Sequence, residues 1–205
     1  MVGQLVERIR QKDQQTEQRE QSQACLQTAE SRRMKTESQR AMSQLYQMYV
    51  EELSSVCYRY VPDDNDAKDV LQNSFVKIFT SLSALEYRDE PSFRGWMIKI
   101  VVNEALHFLR ERKKLLFTEL HEANVQQSAD EEPISDGLSA DELHQLISEL
   151  PDGYRTVINL YAFEGCSHQK IAELLGITEG TSGSQLYYAK RLLSKKIKEF
   201  IKTRQ

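Results

Sequence analysis

Ser167–Lys196 reads SHQKIAELLGITEGTSGSQLYYAKRLLSKK, and this stretch decides how the chain folds. Ser167 places an acceptor hydroxyl just before Gln169–Leu175, where Ile171, Ala172, Leu174 and Leu175 recur at helical spacing. It is therefore expected to cap a short helix. Gly176 closes that helix, because glycine enters the left-handed C-cap conformation without a Cβ penalty. Gly176-Ile177-Thr178 then leads directly into a long basic helix from Glu179 to about Lys202. Two helices joined by so short a glycine-containing turn have helix-turn-helix spacing. In that geometry the first turns of the second helix meet base edges in the major groove of DNA. The residues concerned are Thr181, Ser182, Ser184 and Gln185, with Tyr188, Lys190 and Arg191 a turn later. Gln can bond adenine bidentately, and Ser and Thr can reach bases or phosphates. A helical hairpin with a solvated basic face fits the same letters.

Working upstream, Ser139-Ala140-Asp141-Glu142 is a capping-box pattern before the apolar face Leu143, Leu146, Ile147 and Leu150. Pro151-Asp152-Gly153 reads as a turn, and Tyr154–Phe163 as a further helix ended by Gly165. A compact helical unit over 139–205 is expected.

A second apolar block covers Ala41–Lys114. Leu45, Tyr46, Tyr49, Leu53, Val56, Cys57 and Tyr60 recur at helical spacing until Pro62. Asp63-Asp64-Asn65-Asp66 then offers N-caps for a helix bearing Val70, Leu71, Phe75, Ile78 and Phe79 on one face. A loop over Ser83–Ser92 leads to a long helix from about Phe93 to Arg112. One side of it is apolar (Met97, Val101, Ala105, Phe108), while Trp96, Lys99, Asn103, His107, Arg110 and Lys114 run along the other. A ring, an amide and several cations in one stripe suit single-stranded nucleic acid, since bases stack on rings and cations follow phosphates. An ordinary solvated face with Trp96 half in the core is the alternative.

The charge pattern separates the two blocks. The chain has 205 residues, 27 Lys and Arg, 31 Asp and Glu, and a net charge of −4. Leu115–Tyr154 holds ten acidic residues and no Lys or Arg, so the remainder stands at 27 against 21, or +6. Arg94–Lys114 has six basic against two acidic residues, and Leu186–Gln205 seven against one. Two basic helices flank an acidic connector, and the sign of the whole-chain sum says nothing against DNA. Pro133, Gly137 and several Ser mark 115–138 as a flexible acidic linker.

At the other end, Val2, Leu5, Val6 and Ile9 suggest one or two helical turns within Met1–Gln15. Thr16–Arg40 is rich in Gln, Glu, Ser and Arg and has no aromatic residue, which fits a solvated, poorly packed helix or a disordered insertion.

No apolar stretch approaches the roughly 18 residues that span a bilayer, and Met1–Arg10 lacks a signal peptide's apolar core, so direct membrane insertion is not expected. Three cysteines, Cys25, Cys57 and Cys166, lie far apart and read as reduced cytoplasmic thiols. Neither a phosphate loop nor metal-ligand spacing occurs, and the acidic pairs fall in a turn and a linker. Cys166-Ser167-His168 is better read as a capping Ser beside a semi-exposed His than as a nucleophile with its base. No catalytic residue, metal or cofactor is expected.

The whole order resembles an extracytoplasmic-function (ECF) sigma factor of bacterial RNA polymerase, in the sigma-70 family. Asp66-Ala67-Lys68-Asp69-Val70-Leu71-Gln72 and Phe93-Arg94-Gly95-Trp96-Met97-Ile98-Lys99-Ile100-Val101-Val102-Asn103 match the family pattern. So do Leu150-Pro151-Asp152-Gly153-Tyr154-Arg155, Glu164-Gly165-Cys166-Ser167, Ile171-Ala172 and Gly180-Thr181-Ser182. The resemblance implies an all-α chain of two small helical domains: a region 2-like domain over 1–114 with an unusual polar insertion at about 16–40, the linker over 115–138, and a region 4-like helix-turn-helix domain over 139–205. It implies that Asp66, Asp69, Gln72 and Phe75 dock on the clamp helices of the polymerase's largest subunit, with the second domain near the flap of the second largest. Tyr87, Trp96, Lys99, Asn103 and Arg110 would hold the melted −10 strand, with one base flipped into a loop pocket. Thr181–Arg191 would read the −35 duplex. An anti-sigma protein, in many relatives anchored in a membrane, is the further partner the family implies. The competing expectation is a stand-alone helix-turn-helix regulator that binds duplex operator DNA without polymerase.

Two departures from the family stand out. Gly183 replaces a frequent Lys or Arg, and Tyr188 a frequent Arg. A mid-helix Gly costs about 1 kcal/mol relative to Ala. Weak intrinsic −35 binding is the resulting hypothesis, and nanomolar binding of a −35 duplex by the second domain alone at physiological salt would contradict it.

Overall fold

The computed structural model describes residues 2–20, 29–112 and 138–204, with side chains over 2–12, 36–112 and 138–204. Among these residues the regular structure is helical throughout: α1 (Val2–Glu20), α2 (Ala29–Tyr60), α3 (Asp64–Ser81), a 3-10 turn (Leu82–Ala84), α4 (Glu90–Glu111), α5 (Ala140–Ser148), α6 (Asp152–Ala162), α7 (His168–Leu175) and α8 (Glu179–Thr203). The acidic linker falls outside the described residues except for Leu138, as do the side chains of most of the polar stretch over 16–40. The chain divides into two compact units, Met1–Cys57 with Asp64–Glu104, and Tyr58–Asp63 with Ala105–Gln205.

In the first unit the apolar rhythm of each helix becomes a buried stripe. Val2, Leu5, Val6 and Ile9 of α1 are buried, as are Leu45, Tyr49, Leu53 and Val56 of α2 and Val70, Phe75 and Ile78 of α3. Helix α1 is longer than the one or two turns its apolar residues predict. It runs on to Glu20, and α2 starts at Ala29, so helical backbone enters the polar stretch from both sides. A Lys12–Glu37 ion pair joins the two helices. Further ion pairs tie α4 to its neighbours: Arg94 to Glu52 on α2, and Lys77 on α3 to Glu104. Helix α2 stops at Tyr60, two residues before Pro62, whose ring disfavours helical backbone in the residue before it.

In the second unit, three short helices, α5 to α7, and the long α8 are held together by Leu146, Leu150, Val157, Leu160, Ile171, Leu175, Leu186, Ala189, Leu193 and Ile197. The capping box forms as expected, Ser139 Oγ accepting from Glu142 N–H at 3.2 Å and Glu142 Oε2 from Ser139 N–H at 2.8 Å. Asp152 and Gly153, expected as a turn, are already helical. Pro151, with φ −52°, is the N-cap that starts α6 there. Arg155 is buried and spends its guanidinium on carbonyls: Nη1 donates to Ser148 at 3.1 Å and Leu150 at 2.7 Å, and Nη2 to Tyr60 at 3.2 Å. It also pairs with Asp152. One charged side chain thereby satisfies the C-terminal carbonyls of α5 and of α2, which no helix can satisfy for itself.

Candidate nucleic-acid interface

The first candidate surface starts at the entry to α4. Asp89 Oδ1 accepts from Ser92 N–H at 2.7 Å, and this bond holds the Asp89 carboxyl below its ordinary range. The cap, with Pro91 in the first turn, starts α4 at Glu90, three residues before the expected start. Phe93 is thereby turned into the core, where it is 2% exposed and meets three rings. Tyr49 lies edge-on at 6.0 Å, Tyr87 at 5.9 Å, and Trp96 stacked at 5.7 Å. Tyr49 donates its hydroxyl to Glu90 at 3.3 Å, and burial, with that carboxylate beside it, pushes its pKa up to about 12.

Leu85, Glu86, Tyr87, Arg88, Ser92 and Phe93 line an open cavity of about 340 Å³ beside this cluster. Tyr87 is half-buried, with its ring so near Gly3 that a Cβ there would lie 2.7 Å from the ring. The absent side chain at Gly3 lets α1 pass under the loop. From the rim, Trp96 is half-exposed, and Lys99, Asn103 and Arg110 are exposed along the same face of α4. The structure therefore brings Tyr87 and Trp96 together on Phe93 and continues them with an amide and cations. This combination suits an unstacked base and the phosphates that follow it.

The α3 residues divide differently. Asp69 and Gln72 are exposed, but Asp66 is 9% exposed and Phe75 4%. Phe75 packs under Tyr46 at 4.6 Å and beside Phe79 at 5.8 Å, so it is a core residue and not a surface contact in this structure. The reason is helical phase: Asp66 lies in register with buried Val70, Ser74 and Ile78. The residue that shares the Asp69–Gln72 face is Val76, 54% exposed. The steps 69, 72, 76 place it there.

In the second unit the helix-turn-helix is built by its caps. Ser167 Oγ accepts from Lys170 N–H at 3.2 Å, and Gly176 takes φ 68°. Thr178 Oγ1 accepts from Thr181 N–H at 3.0 Å and shares a hydrogen bond of 2.9 Å with Thr181 Oγ1. Helix α8 then presents Thr181, Ser184, Tyr188 and Arg191 on one face, at steps of 3, 4 and 3, with Lys190 exposed beside them. Ser182 and Gln185 correct the expectation. They are 0% and 3% exposed and lie on the buried side with Leu186, Ala189 and Leu193. Ser182 Oγ meets His168 Nδ1 at 2.9 Å, which ties α8 to the start of α7, and Tyr161 stacks on the same imidazole at 5.1 Å. A side chain engaged in that way braces α8 against α7. Gly183 has no atom within 4 Å of where a Cβ would stand, so neighbouring atoms do not require a glycine there.

Among the described residues no cluster of His, Cys, Asp or Glu could hold a metal ion, and no helix is long and apolar enough to cross a membrane.

Residues 45–115 match the sigma-70 region 2 family and residues 140–193 the sigma-70 region 4 family. The chain belongs to the sigma-70 family and is an RNA polymerase sigma factor of its ECF group. It is 30% identical over 138 residues to the RNA polymerase sigma factor SigV of Bacillus subtilis, covering 67% of this chain and 80% of that one. To the RNA polymerase sigma-H factor of Pseudomonas aeruginosa it is 26% identical over 182 residues, covering 83% and 93%. The ECF RNA polymerase sigma-E factor of Escherichia coli is 26% identical over 181 residues, again covering 83% and 93%. Among solved structures it is similar to RpoE in complex with the anti-sigma factor NepR from Bartonella quintana, at TM-score 0.46 and 20% identity, covering 76% of this chain and 96% of that one. The two family matches and the sequence relatives do not favour the stand-alone regulator.

Proposed function

We propose that this sigma factor directs core polymerase to its promoters with its two ends doing different work. The domain over 1–114 docks on core polymerase through Asp69, Gln72 and Val76 of α3. It holds the melted −10 strand on Trp96, Lys99, Asn103 and Arg110, with one base in the cavity beside Tyr87. The domain over 139–205 contacts the −35 duplex through Thr181, Ser184, Tyr188, Lys190 and Arg191, and the acidic linker over 115–138 joins them. Catalysis belongs to the polymerase and not to this chain. Family membership supports the clamp helices and the flap as docking partners, an anti-sigma protein as regulator, and the cytoplasm as the place of action.

The observation that carries the reading is the stripe on α4 beginning at a ring stack and a cavity. Extruding a base costs a few kcal/mol, and a preformed cavity with aromatic walls offsets that cost where the strand is melted. The test is run-off transcription with core polymerase on a promoter library. Stimulated initiation on a subset of templates is expected, and no stimulation on any template would refute the reading. Within that assay, Trp96→Ala should lower open-complex formation by about ten-fold, since stacking contributes ~1–3 kcal/mol per base. Initial duplex binding should change little; an equal loss in both steps would deny α4 its strand-holding role.

A further inference from the structure

We infer that Tyr188 reads the 5-methyl group of one thymine in the −35 element, with Tyr154 as the residue that positions it. The inference rests on the −35 reading of the second unit and deepens it. Along the outward face of α8, Thr181 and Ser184 are short, and the Thr181 hydroxyl is engaged with Thr178. Arg191 and neighbouring Lys190 are exposed cations, suited to phosphates or to hydrogen-bonding base edges. Tyr188 is the one bulky apolar group of that stripe. It is half-buried, and two rings hold it from different sides. Tyr154 of α6 stacks on it with centroids 6.4 Å apart and planes at 21°, while Tyr187 meets it edge-on at 5.4 Å and 78°.

A ring braced in this way has few rotamers left to lose on binding, and tyrosine has little side-chain entropy at the outset. The major groove offers such a ring one apolar feature, the thymine 5-methyl; the other base edges there present hydrogen-bond donors and acceptors. The neighbouring hydroxyls and cations on α8 supply polar contacts, so the ring's added selectivity is for the methyl.

The experiment uses holoenzyme assembled from the full chain and core polymerase. Its preferred −35 sequence is first selected from a randomised library. Each thymine of that element is then replaced singly by deoxyuridine, which lacks only the methyl. One replacement should weaken binding about four-fold, the ratio corresponding to ~0.8 kcal/mol per buried carbon group. Tyr188→Phe should keep that penalty, and Tyr188→Ala should bind the thymine and uracil duplexes equally while keeping its preferences at the other positions. Tyr154→Ala should shrink the penalty and Tyr154→Phe restore it. Indifference of the wild type to every deoxyuridine, or an unchanged penalty in Tyr188→Ala, would overturn the inference. So would a uniform loss of affinity in Tyr188→Phe, because it would mark the hydroxyl as a phosphate ligand. A selection that returns no −35 preference overturns the reading of this unit as a −35 reader, and the Tyr188 inference with it.

Discussion

Phe93 is the residue on which the candidate −10 surface rests, and its replacement gives a quantitative test. Its ring is 2% exposed and touches Tyr49, Tyr87 and Trp96 at centroid distances of 6.0, 5.9 and 5.7 Å. An aromatic pair contributes ~0.5–1.5 kcal/mol beyond its buried area. The three pairs share one ring and cannot be added in full. Phe93→Leu, which fills most of the volume but ends the ring contacts, should therefore cost about 2 kcal/mol. Phe93→Ala should cost about 4 kcal/mol, because a cavity is left as well. At an m-value of about 2 kcal/mol/M these are shifts of roughly 1 M and 2 M in the urea midpoint.

The chain supplies its own probe, since Trp96 is its one tryptophan and lies stacked on Phe93. Its fluorescence should follow the unfolding of the first unit and shift to the red in native Phe93→Leu. Val76→Ala, at a 54% exposed site, should stay within about 0.5 kcal/mol of the wild type and serves as the control. A Phe93→Leu protein whose midpoint matched that control would show that Phe93 does not organise the cluster.

Two further outcomes follow from the titratable groups. Burial pushes the Cys57 thiol up to about 12 and its Sγ donates to Ala67 O at 3.4 Å, so in a Cys25→Ser/Cys166→Ser variant it should react with a thiol reagent at pH 8 only as urea unfolds the first unit; rapid labelling of the native protein would contradict its burial. The Ser139 backbone N–H, and then Arg204, hold the Glu142 carboxyl below its ordinary range. A carboxylate favoured by the fold stabilises above the unfolded-state value, and that contribution is lost as pH falls through the folded-state value. Glu142→Gln keeps the capping hydrogen bond without the charge, so its melting temperature should fall below the wild type's at neutral pH and converge with it in acid; parallel curves would refute the assignment.

What was legible in the letters was mostly local. Ser139 and Glu142, Ser167 with Gly176, and the Pro62 stop act within a few residues of themselves, and the helices begin and end where those residues direct. Asp152-Gly153 misled because a Pro-Asp-Gly string scores as a turn, yet Pro151 is equally suited to starting a helix, and α6 starts there. Helix α4 starts earlier than the loop reading of 83–92 places it for a similar reason: Asp89, a residue that also suits a turn, caps it. The site residues that lie inward do so by helical phase. The spacing of Asp66, Ser182 and Gln185 from Val70, Leu186 and Ala189 puts them on the inward side although they are polar, and Phe75, on the same helix as Asp66, packs in the core. Periodicity held that information, and residue chemistry overrode it. The ring cluster around Phe93 was not legible at all, because it brings Tyr49 of α2 against the loop before α4 and α4 itself, which lie far from it in sequence.

The part-buried bond between Ser182 and His168 has a consequence for the outward face of α8. The groups that fix the rotation of α8 sit on its inward side with Gln185, Leu186 and Ala189, while Ser184 and Tyr188 face outward, and Thr181 belongs to the Thr178 cap at the start of the helix. On the proposed −35 reading, substitutions on the outward set alter the letters being read without altering how the helix is seated. Target preference on that reading moves one outward residue at a time, each step leaving a folded protein.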